Sequence, residues 1–151
     1  MSVLDAPLEP EIRYILENAR PESRLEMDAL NLDPSRLAAH LATAKGFKYV
    51  VYYDKRPAAF IGVVRQHPGV YAGLGFGTPD WINVWKAVTL VARRRILKSV
   101  SETGAHRIHC ISFSESPDVA RWLKFLGAAH MVDLPAYGAR GEDAKMFTWL
   151  L

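Results

Sequence analysis

Through the N-terminal third of the chain, apolar positions recur at steps of three and four. Ile12, Ile15, Leu16 and Ala19 share one face of a helix predicted over Glu9–Ala19, and Pro21 stops it. ESRLEMDALN continues as a second helical piece. DPSRLAAHLATAKG follows as a third, with Asp33 as its cap, Pro34 at its first position and Gly46 as its stop. The pattern then changes. FKYVVYY (Phe47–Tyr53), AAFIGVVRQ (Ala58–Gln66) and VYAGLGF (Val70–Phe76) are rich in β-branched and aromatic residues. The short turns DKRP and HPG between them predict an antiparallel meander. Helical spacing returns from Asp80 to Glu102, opened by Thr78-Pro79-Asp80, with Trp81, Trp85, Val88, Ala92 and Ile96 as the apolar face. A strand, HRIHCISFS (His106–Ser114), precedes a short helix, SPDVARWLKFLG. In that helix Ser116 is the cap, Pro117 the first residue and Gly127 the end. AAHMVDLP and AKMFTWLL complete the chain as two strands around the turn-rich AYGARGED. This order predicts a single α/β domain over residues 1–151, with a mixed sheet of about six or seven strands and helices on both faces.

Composition narrows the class without naming a chemistry. The chain has 151 residues, half of them hydrophobic and 23% charged, as in an ordinary globular domain. No apolar run approaches the roughly 18 residues of a membrane span. The N-terminal MSVLDAPLEP lacks a basic segment followed by an apolar one, so no secretory signal peptide is expected. Cys110 is the only cysteine, which excludes an internal disulfide and a cysteine-rich zinc site. The net charge of +3 demands no nucleic-acid partner. The one dense basic run, ARRRILK ending at Lys98, lies in a helix, where a turn of about 100° per residue spreads Arg93, Arg94 and Arg95 around the axis. A nucleic-acid-binding module therefore has only that run and the mild positive charge behind it.

The clustered histidines do not make a metal site. His106 and His109 stand three apart on a strand and point to opposite faces; His106 and Cys110 share a face but lie about 13 Å apart at strand rise. No metal is expected. Trp81, Trp85 and Trp149 are expected mainly in the core. The most suggestive segment is GLGFGTPDWINVW, where a strand meets a glycine-rich turn and a helix start. Free backbone N–H groups converge on anions in such settings. Pro79 removes one N–H, and Asp80 adds negative charge as a helix cap. The segment thus reads either as a phosphate cradle or as a capped helix start.

The element order and several segments resemble the GNAT acyltransferases, which use acetyl-CoA to acylate amines. The likeness is clearest in SPDVARWLKFLGA. ENARPESRLEMDAL, RPAAFIGVV, GFGTPDW, ARWLKFLGA and GEDAKMFTWL, in that order, are similar to GNAT-like proteins of tailed bacteriophages, a group that includes internal virion or tail-assembly proteins as well as acetyltransferases. In that group the first segment tends to read Arg, two residues, Asp, two residues, Glu; Arg20 and Glu26 match, and Ser23 stands in place of the acid. The resemblance implies acetyl-CoA as the cofactor, with Gly75, Gly77 and Thr78 at its pyrophosphate. Family enzymes usually carry Gln or Arg, two residues, Gly, one residue, then Gly or Ala, and GFGTPDW departs from that form. Many also place a tyrosine four residues before the glycine ending the short helix, as proton donor; here that residue is Leu123. Trp122 offers only an indole N–H, and Tyr137 lies in a turn. Ser114, Glu115 and Ser116 either cap the short helix or position a water or an amine. No catalytic residue is assigned. The expectation is a GNAT-like protein of the phage type, associated with the virion or its assembly, with other virion proteins as partners and acetyltransferase activity weakened or lost. Its implied place is the phage virion or the host cytoplasm. The alternative is an active acetyl-CoA-dependent N-acetyltransferase acting on an amine. Homo-oligomerisation is left open.

Overall fold

The computed structural model describes residues 2–151. Seven strands form one sheet in the order β1-β2-β3-β4-β5-β7-β6. The strands are β1 (Ser2–Asp5), β2 (Gly46–Tyr53), β3 (Arg56–His67), β4 (Val70–Gly77), β5 (Arg107–Ser112), β6 (His130–Leu134) and β7 (Ala144–Leu150). All neighbours pair antiparallel except β4 and β5, which are parallel. The expected meander is β2-β3-β4. Its first turn holds Asp54 and Lys55 at φ 49° and 63°, the doubly positive geometry of a two-residue hairpin that follows strand twist. β1 was not expected. SVLD is too short to show a period, and its strand character comes from pairing with β2.

Period-two alternation in the strands sorts the helices to opposite faces. Val50 and Phe60 meet α1 (Glu9–Glu17), α2 (Pro21–Ala29) and α3 (Pro34–Thr43) through Ile12, Ile15, Leu16, Met27 and Leu41. Their neighbours Val51 and Ile61 face the other way, onto α4 (Trp81–Val91), α5 (Leu97–Glu102) and α6 (Pro117–Phe125). Asp33 caps α3, its side chain accepting from the Arg36 amide at 3.0 Å, as expected. Among the described residues, no helix is long and apolar enough to cross a membrane.

The predicted long helix is broken by a π-helical turn, Ala92–Ile96, between α4 and α5. Its buried face is Val84, Val88, Val91, Ala92, Ile96 and Val100. Trp85 lies about 100° around from Val84, so it sits at the edge of that stripe and is 43% exposed, not in the core as expected. Two of the three arginines of the π turn diverge: Arg93 lies 5.0 Å from the Phe125 ring and Arg95 5.6 Å from the Tyr49 ring.

Two polar contacts fix helices to the sheet. Lys48, on β2, is buried, and its Nζ donates to the carbonyls of Leu41, Ala42 and Ala44 at 2.7, 3.2 and 2.7 Å. A cation thus closes the C-terminal end of α3, where carbonyls are left without amides and the helix dipole is negative. Ser23, buried on α2, accepts a hydrogen bond from the Gly77 amide at 3.0 Å and pins α2 to the last residue of β4. Replacing Lys48 by Met keeps much of the stem but orphans three carbonyls. We expect Lys48→Met to lower unfolding free energy by about 2–3 kcal/mol. Ser23→Ala should cost about 1–2 kcal/mol, from the amide left unpaired. Urea or guanidinium unfolding measures both, and a change below about 0.5 kcal/mol for either would contradict the assigned role.

Candidate active site between the parted strands

β4 and β5 pair only at Val70–Arg107, Tyr71–Ile108 and Ala72–His109. Beyond that point both strands run on, but apart. β4 stays paired to β3 through Gly77, and β5 stays paired to β7 through Ser112. The wedge between them opens into a cavity of about 670 Å³, lined by Gly73, Gly75, Cys110, Ser112, Trp81 and Trp122 among others. Its inner edges carry backbone groups that no neighbouring strand satisfies, which is the usual condition for water or a ligand to do so.

The direction of each amide on β4 follows from strand alternation. Thr78 donates to the Ala58 carbonyl on β3, and Gly77 donates the other way, to Ser23. Gly75, two residues earlier, therefore aims its N–H as Gly77 does, away from β3 and into the cleft. A Cβ there would stand on the sheet face, 3.4 Å from Ile61 Cδ1, and would not cover that edge. Gly77 has no such room: an added Cβ would lie 2.6 Å from Cε3 of Trp81.

The end of β4 is not a free amide cradle. The Gly77 and Thr78 amides are taken as described. Pro79 has none; the Asp80 amide donates to Thr78 Oγ1 at 3.2 Å, and the Trp81 amide to the Thr78 carbonyl at 2.9 Å. Of the three residues expected at a pyrophosphate, Gly75 alone presents its amide to the cleft, while those of Gly77 and Thr78 are engaged within the protein. Asp80 departs from its expected part as a cap. Its carboxylate makes no capping bond and instead binds Arg56 at 3.1 Å, because that cation is a stronger partner than a neutral amide.

α2 crosses the mouth of the wedge and meets both strand ends. Ser23 holds Gly77. Glu26, one helical turn on, accepts from the Phe113 amide at 2.9 Å and the Ser112 hydroxyl at 3.1 Å, just past the end of β5. Arg20, at the start of the helix, places its guanidinium carbon 4.3 Å above the Trp81 ring. Trp81 meets Trp122 edge-on at 6.0 Å, and Trp122 Nε1 donates to Thr89 Oγ1 at 2.9 Å. The spacing Arg-x-x-Ser-x-x-Glu thus puts three residues on one face of α2, all turned to the wedge. That spacing was visible in the sequence, but nothing in it told which end of which strand the face would meet.

Burial sets the electrostatics of the site. It raises the Glu26 carboxyl above the usual carboxylate range, only partly offset by the hydrogen bonds from Phe113, Ser112 and Ser114. It lowers Arg20. It pushes the Cys110 thiol up to about 12, with the Glu26 charge adding to the effect, so Cys110 is an apolar wall of the cleft at neutral pH and not a nucleophile. Leu123 is buried and also lines the cleft, with no ionisable group at that position. Ser116 caps α6, accepting from the Asp118 amide at 3.3 Å, and Ser114 accepts from the Ser116 amide at 3.1 Å. Ser116 thus has the capping role that was one of its two readings, while Ser114 closes the turn just before the helix. Among the described residues, no group of three or more His, Cys, Asp or Glu could hold a metal ion.

No family model and no curated protein matches the sequence. Solved structures do match the fold. A phosphinothricin acetyltransferase of the GNAT superfamily from Sinorhizobium meliloti, solved with AcCoA, superposes with a TM-score of 0.74 at 13% identity, covering 99% of this chain and 88% of that one. The ribosomal-protein-S18-alanine N-acetyltransferase of Escherichia coli gives 0.72 at 13% identity, covering 99% and 94%. An acetyltransferase of the GNAT family from Streptococcus pneumoniae gives 0.66 at 10% identity, covering 99% and 100%. The chain has the fold of the GNAT acetyltransferases, a mixed sheet whose two parallel strands part around a cleft.

Proposed function

We propose that this chain is an acetyl-CoA-dependent N-acyltransferase acting on an amine. The observation that carries the reading is the cleft made where β4 and β5 part, with an unpaired donor edge on one strand and a half-buried carboxylate at the end of the other. The fold neighbours support it, since one of them holds AcCoA. In this reading the Gly75 N–H, left without a ladder partner, would hold the pantetheine arm of acetyl-CoA, which would supply the acyl group as a thioester. Glu26 would accept the proton that the amine gives up on acylation. Leu123 has no proton to give, so the thiolate of the spent donor would take one from water, which favours a modest rate. The virion-associated reading rests on the resemblance alone, and the open cleft favours the enzyme.

Calorimetry with acetyl-CoA should show micromolar binding, and thiol release should follow on a panel of amines; absence of binding would sink the proposal. Glu26→Gln keeps an oxygen for the Phe113 amide, so the fold should survive while turnover drops on the order of 100-fold. The wild-type rate should rise with pH through a value above that of an ordinary glutamate, and Glu26→Gln should lack that limb. Stability gives an independent check. The folded state holds the Glu26 proton to higher pH than the unfolded chain does. Its contribution is therefore complete below the ordinary glutamate value and falls as pH rises through the raised one. Urea midpoints measured against pH should show that slope in the wild type and not in Glu26→Gln.

A further inference from the structure

The corner where β4 gives way to α4 lacks free amides from Gly77 to Trp81 and carries the Asp80 carboxylate, paired with Arg56. A backbone cradle for an anion is therefore not on offer there. The same corner holds a cation that is poorly served by its own protein. The backbone of Arg20 is fixed to the end of β4, its amide donating to the Gly77 carbonyl at 2.8 Å. Its guanidinium carbon stands 4.3 Å from the centre of the Trp81 ring, and both residues line the cleft. Nε is buried and has no hydrogen-bond partner among the described residues. The nearby carboxylate of Glu22 stands 3.9 Å away, beyond hydrogen-bond reach, and is mostly exposed.

An unpaired donor buried in this way costs free energy that a folded protein ordinarily avoids. A guanidinium held against an indole also presents a planar fork of N–H groups, suited to the paired oxygens of a phosphate or carboxylate. The burial that lowers Arg20 is offset when an anion arrives.

We infer that Arg20 is the oxyanion receptor of the cleft, offering guanidinium N–H groups where the neighbouring backbone has none to spare. The matching ligand group is the diphosphate of the acyl donor or a carboxylate on the acceptor amine. The choice between these sources rests on the acyltransferase reading, whereas oxyanion binding by Arg20 does not.

Calorimetry on the full chain with CoA, phosphate-free pantetheine and inorganic pyrophosphate, for the wild type, Arg20→Lys and Arg20→Gln, tests it. KM values for amines with and without a carboxylate complete the set. For the diphosphate, Arg20→Gln weakens CoA and pyrophosphate about tenfold or more and leaves pantetheine unchanged, with Arg20→Lys between. For the carboxylate, Arg20→Gln leaves CoA unchanged and raises KM about tenfold only for the carboxylate-bearing amines. Equal affinities and equal KM ratios in wild type and Arg20→Gln overturn the inference. So does a parallel loss of CoA and pantetheine, which marks a structural part in shaping the cleft. If the wild type binds neither CoA nor pantetheine, the acyltransferase reading fails, and pyrophosphate decides for Arg20. Binding that disappears in Arg20→Gln upholds the receptor, and no binding or unchanged binding overturns it.

Discussion

Two parallel strands that start as neighbours and then part leave a row of backbone donors and acceptors with no ladder partner. The rest of this structure is organised around that constraint. β4 and β5 hold three register pairs, up to Ala72 and His109, and then each follows its outer neighbour, β3 or β7. The outer pairings keep both strands straight and extended, so the gap between them cannot collapse. Closing it would break two ladders to restore one. The cavity between the strands is a consequence of sheet topology, and every side chain that meets in it comes from an element attached to one of those two strands.

α2 is the element that makes the gap a site. It reaches β4 through Ser23 and the end of β5 through Glu26, so one helix face spans both sides of the opening. A helix laid across a strand end meets amides that the sheet has released, and Ser23 and Glu26 accept from them. The same burial moves Arg20 and Glu26 in opposite directions, each toward its neutral form, because both charged forms lose hydration. The opening thus carries a guanidinium and a carboxyl, both short of hydration, on successive turns of a single helix. Trp81 and Trp122 complete the wall from the opposite layer, their rings set edge to face.

The likeness to solved structures at 10–16% identity shows how little of this arrangement depends on particular residues. What the fold needs is a pattern: alternating strands, helices with one apolar face, and a parallel pair at the centre of an otherwise antiparallel sheet. Chemistry asks for specific atoms, and there this chain follows its own course. Its strand-to-helix corner is short, with the amides turned inward. Position 123 is a leucine in the cleft wall. Glu26 and Arg20, from the far layer, supply the charged groups.

Much of the fold was legible in the sequence, because hydrophobic periodicity is a local property. The three N-terminal helices, the meander, the Asp33 and Ser116 caps and the order of the remaining elements follow from steps of two, three and four and from proline and glycine. What escaped was whatever depends on a distant partner. β1 is a strand because β2 is beside it. The Asp80 carboxylate turns away from the helix end because Arg56, from the preceding hairpin, binds it. Trp85 lies at the edge of the buried stripe because the sheet sets the centre of that stripe on Val84 and Val88. Gly75, Gly77 and Thr78 are adjacent in text and unlike in space, since strand alternation and the approach of α2 give their amides different partners. The sequence by itself determined the elements and their amphipathic faces. The tertiary structure alone decided which strands part, what α2 bridges and which polar groups are left without partners, because a hydrogen bond is settled by the geometry of both its ends.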